Sequence, residues 1–277
     1  MIRLSVIIIT LNEAGLIEQC LRSLPDYDEL IVVDSGSTDG TQAICKRFGA
    51  KLLQTDWPGF GPQKNRALDL AQGHWVLSVD ADEQFDASLR AEISRVTGLD
   101  KHEGSDSDKA TGNIREDMGQ VQAHAIVNAY RFRRRSSFAG QYMRFGDWRS
   151  DKVLRLFRRD CGRFSELAVH ESVQVRGPVG ELSGLMLHQS IQDWADAMSK
   201  ARLYAELSVA RMRSRGSVGP MHGVLHAIWT FTRGFVFRLG FLDGYNGLRL
   251  ALANAWGTYL RYSLAAEAIS TQSTLEK

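Results

Sequence analysis

The sequence predicts an α/β protein in which a mostly parallel sheet lies between layers of helices, followed by a helical region at the C-terminal end. The sheet is predicted because short β-branched runs alternate with helical apolar stripes over about the first hundred residues. Short connections between these runs favour parallel strands covered by helices on both faces. The helical region is predicted because the composition from His222 onward shifts toward Trp, Phe and Leu.

Each element has its own local signal. A continuous β-branched run marks the first strand, and apolar residues at helical spacing mark a helix at residues 13–24. Thr38 is expected to cap the second helix and Gly49 to end it. Strands are predicted at residues 4–10, 30–33, 50–54 and 75–79, and further helices at residues 62–71 and 189–213, the last capped by Ser190 and Asp193.

The overall charge is close to neutral but unevenly distributed. The 277 residues contain 34 Lys and Arg against 32 Asp and Glu, for a formal net charge of +2. This balance argues against a globally basic nucleic-acid-binding protein and against an acidic disordered chain. Residues 131–163 nevertheless hold 11 basic and 3 acidic residues. This basic block indicates either an anionic ligand or a solvated basic face.

The cysteines, the N-terminal residues and the length of the apolar runs further narrow the class of protein. Cys20, Cys45 and Cys161 lie far apart without a C-x-x-C pair, so we expect neither a thiolate zinc site nor a disulfide framework. The N-terminal residues run directly into a strand, which argues against a signal peptide. No run of about 20 uncharged apolar residues occurs, so no membrane-spanning helix is expected. A reducing, cytoplasmic compartment is the expectation.

Polar clusters follow three of the predicted strands. They are Asn12-Glu13, the stretch at residues 34–40, and Asp80-Ala81-Asp82. Since the carboxyl ends of parallel strands share one edge of a sheet, these clusters predict a ligand site at that edge. Two carboxylates one residue apart could both reach a divalent cation, although a solvated acidic turn or a helix cap remains the alternative for Asp80 and Asp82.

Two common site types do not fit. A dehalogenase-type phosphatase has Thr or Val two residues after the second Asp of its D-x-D motif, where this chain has Gln84. The turn after the first strand lacks the G-x-G-x-x-G pattern of a dinucleotide-binding protein, and the sequence has no G-x-x-x-x-G-K-[ST] phosphate loop. We therefore expect neither a phosphatase nor a nicotinamide-dependent enzyme.

Four motifs follow one another in the first part of the chain. They are Ser5-Val6-Ile7-Ile8-Ile9-Thr10-Leu11-Asn12-Glu13, Val32-Val33-Asp34-Ser35-Gly36-Ser37-Thr38-Asp39-Gly40-Thr41, Gln63-Lys64-Asn65-Arg66-Ala67 and Val79-Asp80-Ala81-Asp82-Glu83. In this order and spacing they resemble glycosyltransferase family 2, whose members are inverting enzymes with the Rossmann-like GT-A fold. Residues 128–130, 154–158, 169–171, 187–190 and 240–244 add a closer resemblance to bacterial lipopolysaccharide-core β-glucosyltransferases.

The resemblance implies roles for these residues. Asp82 would bind a divalent cation, Mg²⁺ or Mn²⁺, directly, and Asp80 would lie beside the ribose or a bound water. Gln84 could add a ligand to the cation, or be an ordinary residue at the start of a helix. His188 could also add a ligand, or be a structural histidine. The nucleoside of a UDP-sugar donor would be held by Thr10, Asn12, Glu13 and Asp34, and its diphosphate by Lys64. Asn12 could instead cap a helix, and Lys64 could be a surface lysine.

An inverting reaction needs one base to deprotonate the acceptor hydroxyl. Glu171 is our first candidate, because Val169-His170-Glu171 lies downstream, in a segment that could meet the acceptor. Asp151 is the second, since it follows Trp148 in a stretch that could line the acceptor pocket. His170 could orient the base or satisfy a hydrogen bond in the core.

The domain prediction follows from the same resemblance. Residues 1–190 are expected to form the GT-A catalytic domain, with a flexible insertion at residues 100–124. Residues 191–277 are expected to form a helical, membrane-associating extension or a dimerising one, because aromatic residues there are broken only by single arginines. Arginines of the basic block would recognise an anionic lipid-linked acceptor, and nucleic acid is not expected.

The predicted function is the transfer of a hexose, with glucose from UDP-glucose as the expected donor, onto a lipid-linked saccharide such as the lipopolysaccharide inner core. The protein would be cytoplasmic and peripherally bound to the inner membrane, and a homo-oligomer is possible. A polyprenyl-phosphate glycosyltransferase is the alternative enzyme. A non-catalytic nucleotide-sugar-binding scaffold is the alternative from another class.

Overall fold

The computed structural model describes residues 2–99, 127–149, 151–165, 172–213 and 219–275. The predicted insertion at residues 100–124 lies outside the described residues. Glu171 and His170 also lie outside them.

The parallel half of the sheet forms as predicted. Its order is β3-β2-β1-β4, and all three pairings are parallel. Every residue of β1 and β2 is buried, which accounts for their continuous apolar sequences. The strands are β1 (Leu4–Thr10), β2 (Glu29–Asp34), β3 (Lys51–Gln54) and β4 (Trp75–Asp80), and the first three are followed by helices α1 (Ile17–Arg22), α2 (Thr41–Arg47) and α3 (Phe60–Leu70).

The starts of two helices differ from the sequence prediction. Helix α1 begins at Ile17 rather than at residue 13, because the turn before it hydrogen-bonds elsewhere: the Ala14 amide donates to Asp39 Oδ2 at 2.9 Å. Helix α2 begins at Thr41, after Gly40 with φ 99°, so Thr38 is not its cap. The Thr38 amide donates instead to the Asn12 side chain at 2.9 Å.

The rest of the sheet is added after β4. Among the described residues, nine strands form one sheet in the order β3-β2-β1-β4-β8-β6-β11-β5, with β7 on β6. Strand β8 pairs with β4 in antiparallel fashion, so the sheet is mixed beyond its parallel half. The added elements are β5 (Glu83–Phe85), α4 (Ala87–Thr97), β6 (Ala129–Phe138), β7 (Gln141–Tyr142), β8 (Asp151–Arg158) and β11 (Val179–Ile191), and β9 (Gly162–Phe164) pairs separately with β10 (Val173–Val175).

The C-terminal region is helical, as predicted. The long helix begins at Trp194 rather than at residue 189, because Gln189 and Ser190 belong to β11. Asp193 does cap its start, since its Oδ1 accepts from the Asp196 amide at 2.8 Å. The elements are α5 (Trp194–Arg213), α6 (Pro220–Thr232), a π-helical turn (Arg233–Phe237), a 3-10 turn (Gly240–Asp243) and α7 (Gly244–Leu275). Within the described residues, every helix is too short or too polar to cross a bilayer.

The chain divides into two compact units, each with its own apolar core. The core of the first unit contains Ile7, Ile31 and Phe157, and that of the second contains Phe138 and Leu250. The predicted helical region falls wholly in the second unit, which also takes in two earlier segments. The first unit comprises Met1–Ala81, Phe85–Phe132 and Leu154–Gly184, and the second comprises Asp82–Gln84, Arg133–Val153 and Leu185–Lys277.

A buried carboxylate joins the starts of the parallel strands in the first unit. Glu29 is 4% exposed, and its Oε2 accepts from Ser5 Oγ at 2.5 Å and from the Gln72 amide at 2.9 Å. Its Oε1 accepts from Lys51 Nζ at 2.6 Å. Burial by itself would raise the pKa of Glu29, but these three donors outweigh it and hold the pKa below its usual value.

Glu29→Gln is therefore expected to lower the free energy of unfolding at pH 7 by about 2 kcal/mol, the scale of a hydrogen-bonded buried charge. Because the folded-state pKa of Glu29 is lowered, its contribution is present above the unfolded-state pKa and is lost as the pH falls through the folded-state pKa. Urea unfolding of the parent and the variant at pH 7 and at about pH 4 measures the difference in their free energies of unfolding. Glu18→Gln, at an exposed ion pair, is the control and should change little; equal stability of Glu29→Gln and parent at pH 7 would contradict the prediction.

Candidate active site

Asn12 holds together the two loops that follow β1 and β2. It adopts a left-handed backbone conformation with φ 55°. Its amide donates to Ser37 Oγ at 2.8 Å, and its Oδ1 accepts from the Thr38 amide at 2.9 Å. Asn12 is therefore not a helix cap; it fixes the shape of the loop edge at which the sequence predicts the nucleoside. The Glu13 amide adds a bond of 2.8 Å to Thr41 Oγ1.

Asp34 organises the loop after β2. It is fully buried, and its Oδ1 accepts from the Gly36 and Ser37 amides at 3.0 and 2.9 Å and from Gln42 Nε2 at 2.7 Å. Its Oδ2 accepts from Ser37 Oγ. Because the carboxylate already accepts these bonds, it shapes the loop directly and any contact with a nucleoside would be additional.

Asp39 and Thr10 have contrasting surroundings. Asp39 orders the glycine-containing loop, because its Oδ1 accepts from the Thr41 hydroxyl at 2.6 Å and from the Thr41 amide at 3.1 Å. The buried Thr10 hydroxyl, at the end of β1, has no hydrogen-bond partner among the described residues. A buried hydroxyl without a partner is costly, so Thr10 Oγ1 is a candidate for contact with a ligand.

Asp80, at the end of β4, lies between two cations. Its Oδ1 is 2.9 Å from Lys64 Nζ, and its Oδ2 accepts a hydrogen bond from Arg155. Lys64 is not a surface lysine: it is 2% exposed, and its ammonium lies 5.8 Å from the centre of the Phe164 ring. These two cations and one carboxylate leave an excess of positive charge among the three side chains. Such a cluster suits an anionic group such as a diphosphate.

Asp82 and His188 face each other in the second unit. The Asp82 Oδ2 lies 3.2 Å from His188 Nε2. The other ring nitrogen, Nδ1, lies 3.0 Å from the Ser136 hydroxyl, which fixes the orientation of the imidazole. His188 lies within β11 and Ser136 within β6, so both are held by regular strands. A histidine oriented through its second nitrogen is typical of metal sites.

The donor chemistry of the Asp82–His188 pair fits a divalent cation, whereas that of Asp80 does not. A carboxylate oxygen and an imidazole nitrogen are both metal ligands, but the two oxygens of Asp80 face cations instead. Among the residues that the structure describes, no group of three or more His, Cys, Asp or Glu could hold a metal ion. Asp82 and His188 would therefore need further oxygens, such as those of a bound diphosphate, to complete a coordination shell.

The second unit also contains a cavity of about 550 Å³. On its wall, Arg134 donates through Nε to Asp151 Oδ2 at 2.7 Å, and its Nη2 lies 2.5 Å from the same oxygen. The Nη1 atom of Arg134 also lies 3.7 Å from Oε1 of the buried Glu83. Of the predicted site residues, His188 and Asp151 therefore share one cavity. It is lined by Arg134, Ser136, Gly146, Asp147, Trp148, Arg149, Asp151, His188, Ser190 and Arg238.

The structure also contains site residues that the sequence analysis missed. Ser136 had no predicted role, and Arg155 was grouped with the acceptor-binding arginines although it bonds to Asp80. Alternation along β6 is the signal that could have found Ser136, because Arg134 and Ser136 are two residues apart and share one strand face. No local pattern could have paired Arg155 with Asp80, since they are 75 residues apart. Gln84 lies in β5 and Glu171 lies outside the described residues.

The ordered loops after β1 and β2 and the Asp-Ala-Asp sequence at the end of β4 all follow strands of the parallel half of the sheet. The model of the Glycosyl transferase family 2 matches residues 5–93, which contain β1 to β5 and the loops described above. Over residues 5–93 the chain is therefore similar to glycosyltransferase family 2.

Similar proteins extend the match beyond those residues. The lipopolysaccharide core biosynthesis glycosyltransferase LpsC of Rhizobium meliloti is 27% identical over 95% of this chain and 94% of its own. An uncharacterized glycosyltransferase of Rickettsia typhi is 26% identical over 96% of this chain and 87% of its own. Among solved structures, the mannosyltransferase PcManGT of Pyrobaculum calidifontis, in complex with GDP-Man and Mn²⁺, has a TM-score of 0.45 and 20% identity over 99% of this chain and 80% of its own.

Proposed function

We propose that the protein is an inverting, metal-dependent hexosyltransferase that uses a UDP-sugar, with glucose as the expected sugar. Its acceptor is an anionic, lipid-linked saccharide such as the lipopolysaccharide inner core. The match of residues 5–93 to the model of the Glycosyl transferase family 2 supports glycosyl transfer, and the similarity to a lipopolysaccharide core biosynthesis glycosyltransferase supports this class of acceptor.

One observation carries the proposal: the Asp82 carboxylate faces His188 Nε2 at 3.2 Å, and His188 lines a cavity with three arginines. The first part supplies ligands for a divalent cation, and the second supplies a chamber, lined by three arginines and two aspartates, that is large enough for a sugar phosphate. A non-catalytic fold would need neither an oriented imidazole nor a carboxylate beside it. Together they favour an enzyme that handles two anionic substrates.

On the donor side, the first unit supplies positive charge and an ordered loop edge. Lys64 and Arg155 flank Asp80 and suit the oxygens of a diphosphate, while Asp80 holds both cations in position. The Thr10 hydroxyl and the loops fixed by Asn12 and Asp34 suit the nucleoside. In this role Lys64 acts as a fixed charge rather than as a proton donor.

A divalent cation, when bound, stabilises the negative charge that develops on the departing nucleoside diphosphate. Asp82 and His188 would hold it, and Ser136 would keep the imidazole in the orientation required. Gln84 remains a proposed additional ligand from β5. Asp80 is proposed to position Lys64 and Arg155, in place of the metal-binding role suggested by the sequence.

On the acceptor side, a carboxylate must accept the proton of the attacking hydroxyl. Glu171 is proposed as this base. Asp151 is proposed to position the acceptor: Arg134 occupies its Oδ2, and its Oδ1 has no hydrogen-bond partner among the described residues. Attack by the hydroxyl on the face of the anomeric carbon opposite the diphosphate then inverts the configuration in one displacement.

A panel of nucleotide sugars tests the donor class. The melting temperature is measured with UDP-, GDP- and TDP-sugars, each with and without Mn²⁺. At about 100 times its Kd, the correct donor should stabilise the fold by about 2.7 kcal/mol, which raises the melting temperature by about 5 °C or more in a protein of this size. UMP, which lacks a diphosphate, is the matched control. Equal responses to all donors, or to none, would contradict the proposal.

A phosphate acceptor is the second candidate, and the same cavity supports it. Arg134, Arg149 and Arg238 would bind a polyprenyl phosphate as readily as a phosphorylated sugar. The two enzymes differ in chemistry, since a phosphate is already ionised and needs no base. Transfer of radiolabelled sugar to a deacylated core saccharide, but not to a polyprenyl phosphate, would favour the first candidate. If the protein neither hydrolyses nor transfers any nucleotide sugar, the remaining interpretation is a non-catalytic scaffold that binds nucleotide sugars.

A further inference from the structure

The second unit exposes an apolar face on α6, on the two turns that follow it and at the start of α7. Leu225 is 60% exposed, Phe237 65% and Tyr245 74%. Met221, Leu225 and Ile228 recur at helical spacing on one side of α6. We call this the C-terminal apolar face; its members are Met221, Leu225, Ile228, Trp229, Val236, Phe237, Phe241, Leu242 and Tyr245, all of them exposed.

Ring contacts connect the helix to the turns. The Trp229 and Phe237 rings lie 5.9 Å apart, which joins α6 to the π-helical turn. Phe235 lies 6.2 Å from Phe241 in an edge-on arrangement, which joins that turn to the 3-10 turn. The exposed side chains therefore belong to one connected structure rather than to isolated surface positions, and a surface of this kind marks an interaction site.

The charge around this face is positive. Between residues 219 and 266, the segment that carries this face, the sequence has four arginines and one acidic residue, Asp243. Asp243 is buried, and its carboxylate accepts hydrogen bonds from the Arg144 and Phe145 amides. Arg233 and Arg238 share one carboxylate oxygen, Asp147 Oδ1, at 3.2 and 2.8 Å, so two guanidinium groups are offset by one negative charge.

We propose that the C-terminal apolar face docks on an anionic phospholipid bilayer, with Trp229 and Phe237 among the acyl chains and Arg233 and Arg238 at the headgroups. Aromatic and aliphatic side chains beside arginines are typical of surfaces that lie in the membrane interface. A second copy of this chain is a poorer occupant, because a symmetric interface would bring the same arginines against one another.

Docking would also place the cavity close to the membrane, an inference that rests on the proposed function. Asp147 and Arg238 line the cavity and also adjoin the apolar face. Docking would therefore bring the cavity to the level of the headgroups. An acceptor that is anchored in the bilayer by its lipid could then enter with its charged saccharide, without leaving the membrane.

Vesicle flotation tests the docking independently of catalysis. The full chain is mixed with phosphatidylcholine vesicles, with and without about one third phosphatidylglycerol. The parent should float with the anionic vesicles, and more weakly at high salt. The triple variant Leu225→Ser, Phe237→Ser and Leu242→Ser should bind at least about tenfold more weakly. The control variant Leu203→Ser, Tyr204→Ser and Leu207→Ser changes similarly exposed residues of α5 and should bind like the parent.

Three results would overturn the proposal. The parent could fail to bind anionic vesicles, or the triple variant could bind as tightly as the parent. The parent could also elute as a dimer that the triple variant dissociates, which would assign the face to a second copy. Circular dichroism verifies folding of each variant; should the triple variant unfold, the single substitution Phe237→Ser is tested for a partial loss. A loss of sugar transfer with vesicle binding intact would reject the proposed function and leave the docking proposal standing.

Discussion

Asp82→Asn is expected to reduce kcat/KM by about 100-fold or more, because the amide lacks the negative charge that a divalent cation needs at this position. A factor of 100 corresponds to about 2.7 kcal/mol, within the several kcal/mol that a metal ion contributes to charge stabilisation. Initial rates are measured over a Mn²⁺ titration. The variant should need far more Mn²⁺ for half-maximal activity, and its melting temperature without nucleotide should stay close to that of the parent.

The control for this experiment is Asp69→Asn. Asp69 forms an exposed ion pair with Arg163 at 2.7 Å and has no proposed role in the reaction. It should retain the parent's rate and Mn²⁺ dependence. Unchanged kinetics in Asp82→Asn at every Mn²⁺ concentration would remove the central element of the proposed mechanism.

Glu171→Gln is expected to reduce kcat by about a thousand-fold, in the middle of the range for loss of a general base. Glutamine keeps the shape of the side chain but cannot accept the hydroxyl proton. The KM for the donor should hardly change, because Glu171 is assigned to the acceptor. Single-turnover transfer to a core saccharide measures this effect without interference from product release.

Asp151→Asn is the comparison for that variant. Since Arg134 holds its Oδ2 and its Oδ1 is proposed to position the acceptor, this change should mainly raise the acceptor KM, by about tenfold. The reverse pattern, with the larger loss of kcat in Asp151→Asn, would exchange the two roles. Full turnover in both variants would favour the phosphate acceptor, which needs no base.

The parallel half of the fold could be predicted from the sequence because its strands are buried on both faces. Continuous apolar runs are then required, and β1 was predicted with the bounds that the structure has. The strands after the insertion are less visible in the sequence. In β6, buried aromatics alternate with exposed arginines, and the polar Ser136 and Ser137 are also buried. The start of the helix predicted from residue 189 was wrong by five residues for a related reason: the last three residues of β11 are Gln189, Ser190 and Ile191, and the first two of them are polar.

The sequence by itself determined the α/β class, the resemblance to glycosyltransferase family 2, and the pair of carboxylates at the end of β4, because each of these depends on residues that are neighbours in the chain. Only the tertiary structure decided how those carboxylates differ. Asp80 meets Lys64 and Arg155, whereas Asp82 meets His188, and these partners come from distant parts of the chain. Charge and coordination depend on which groups lie within about 4 Å, and that distance is fixed by folding rather than by position in the sequence.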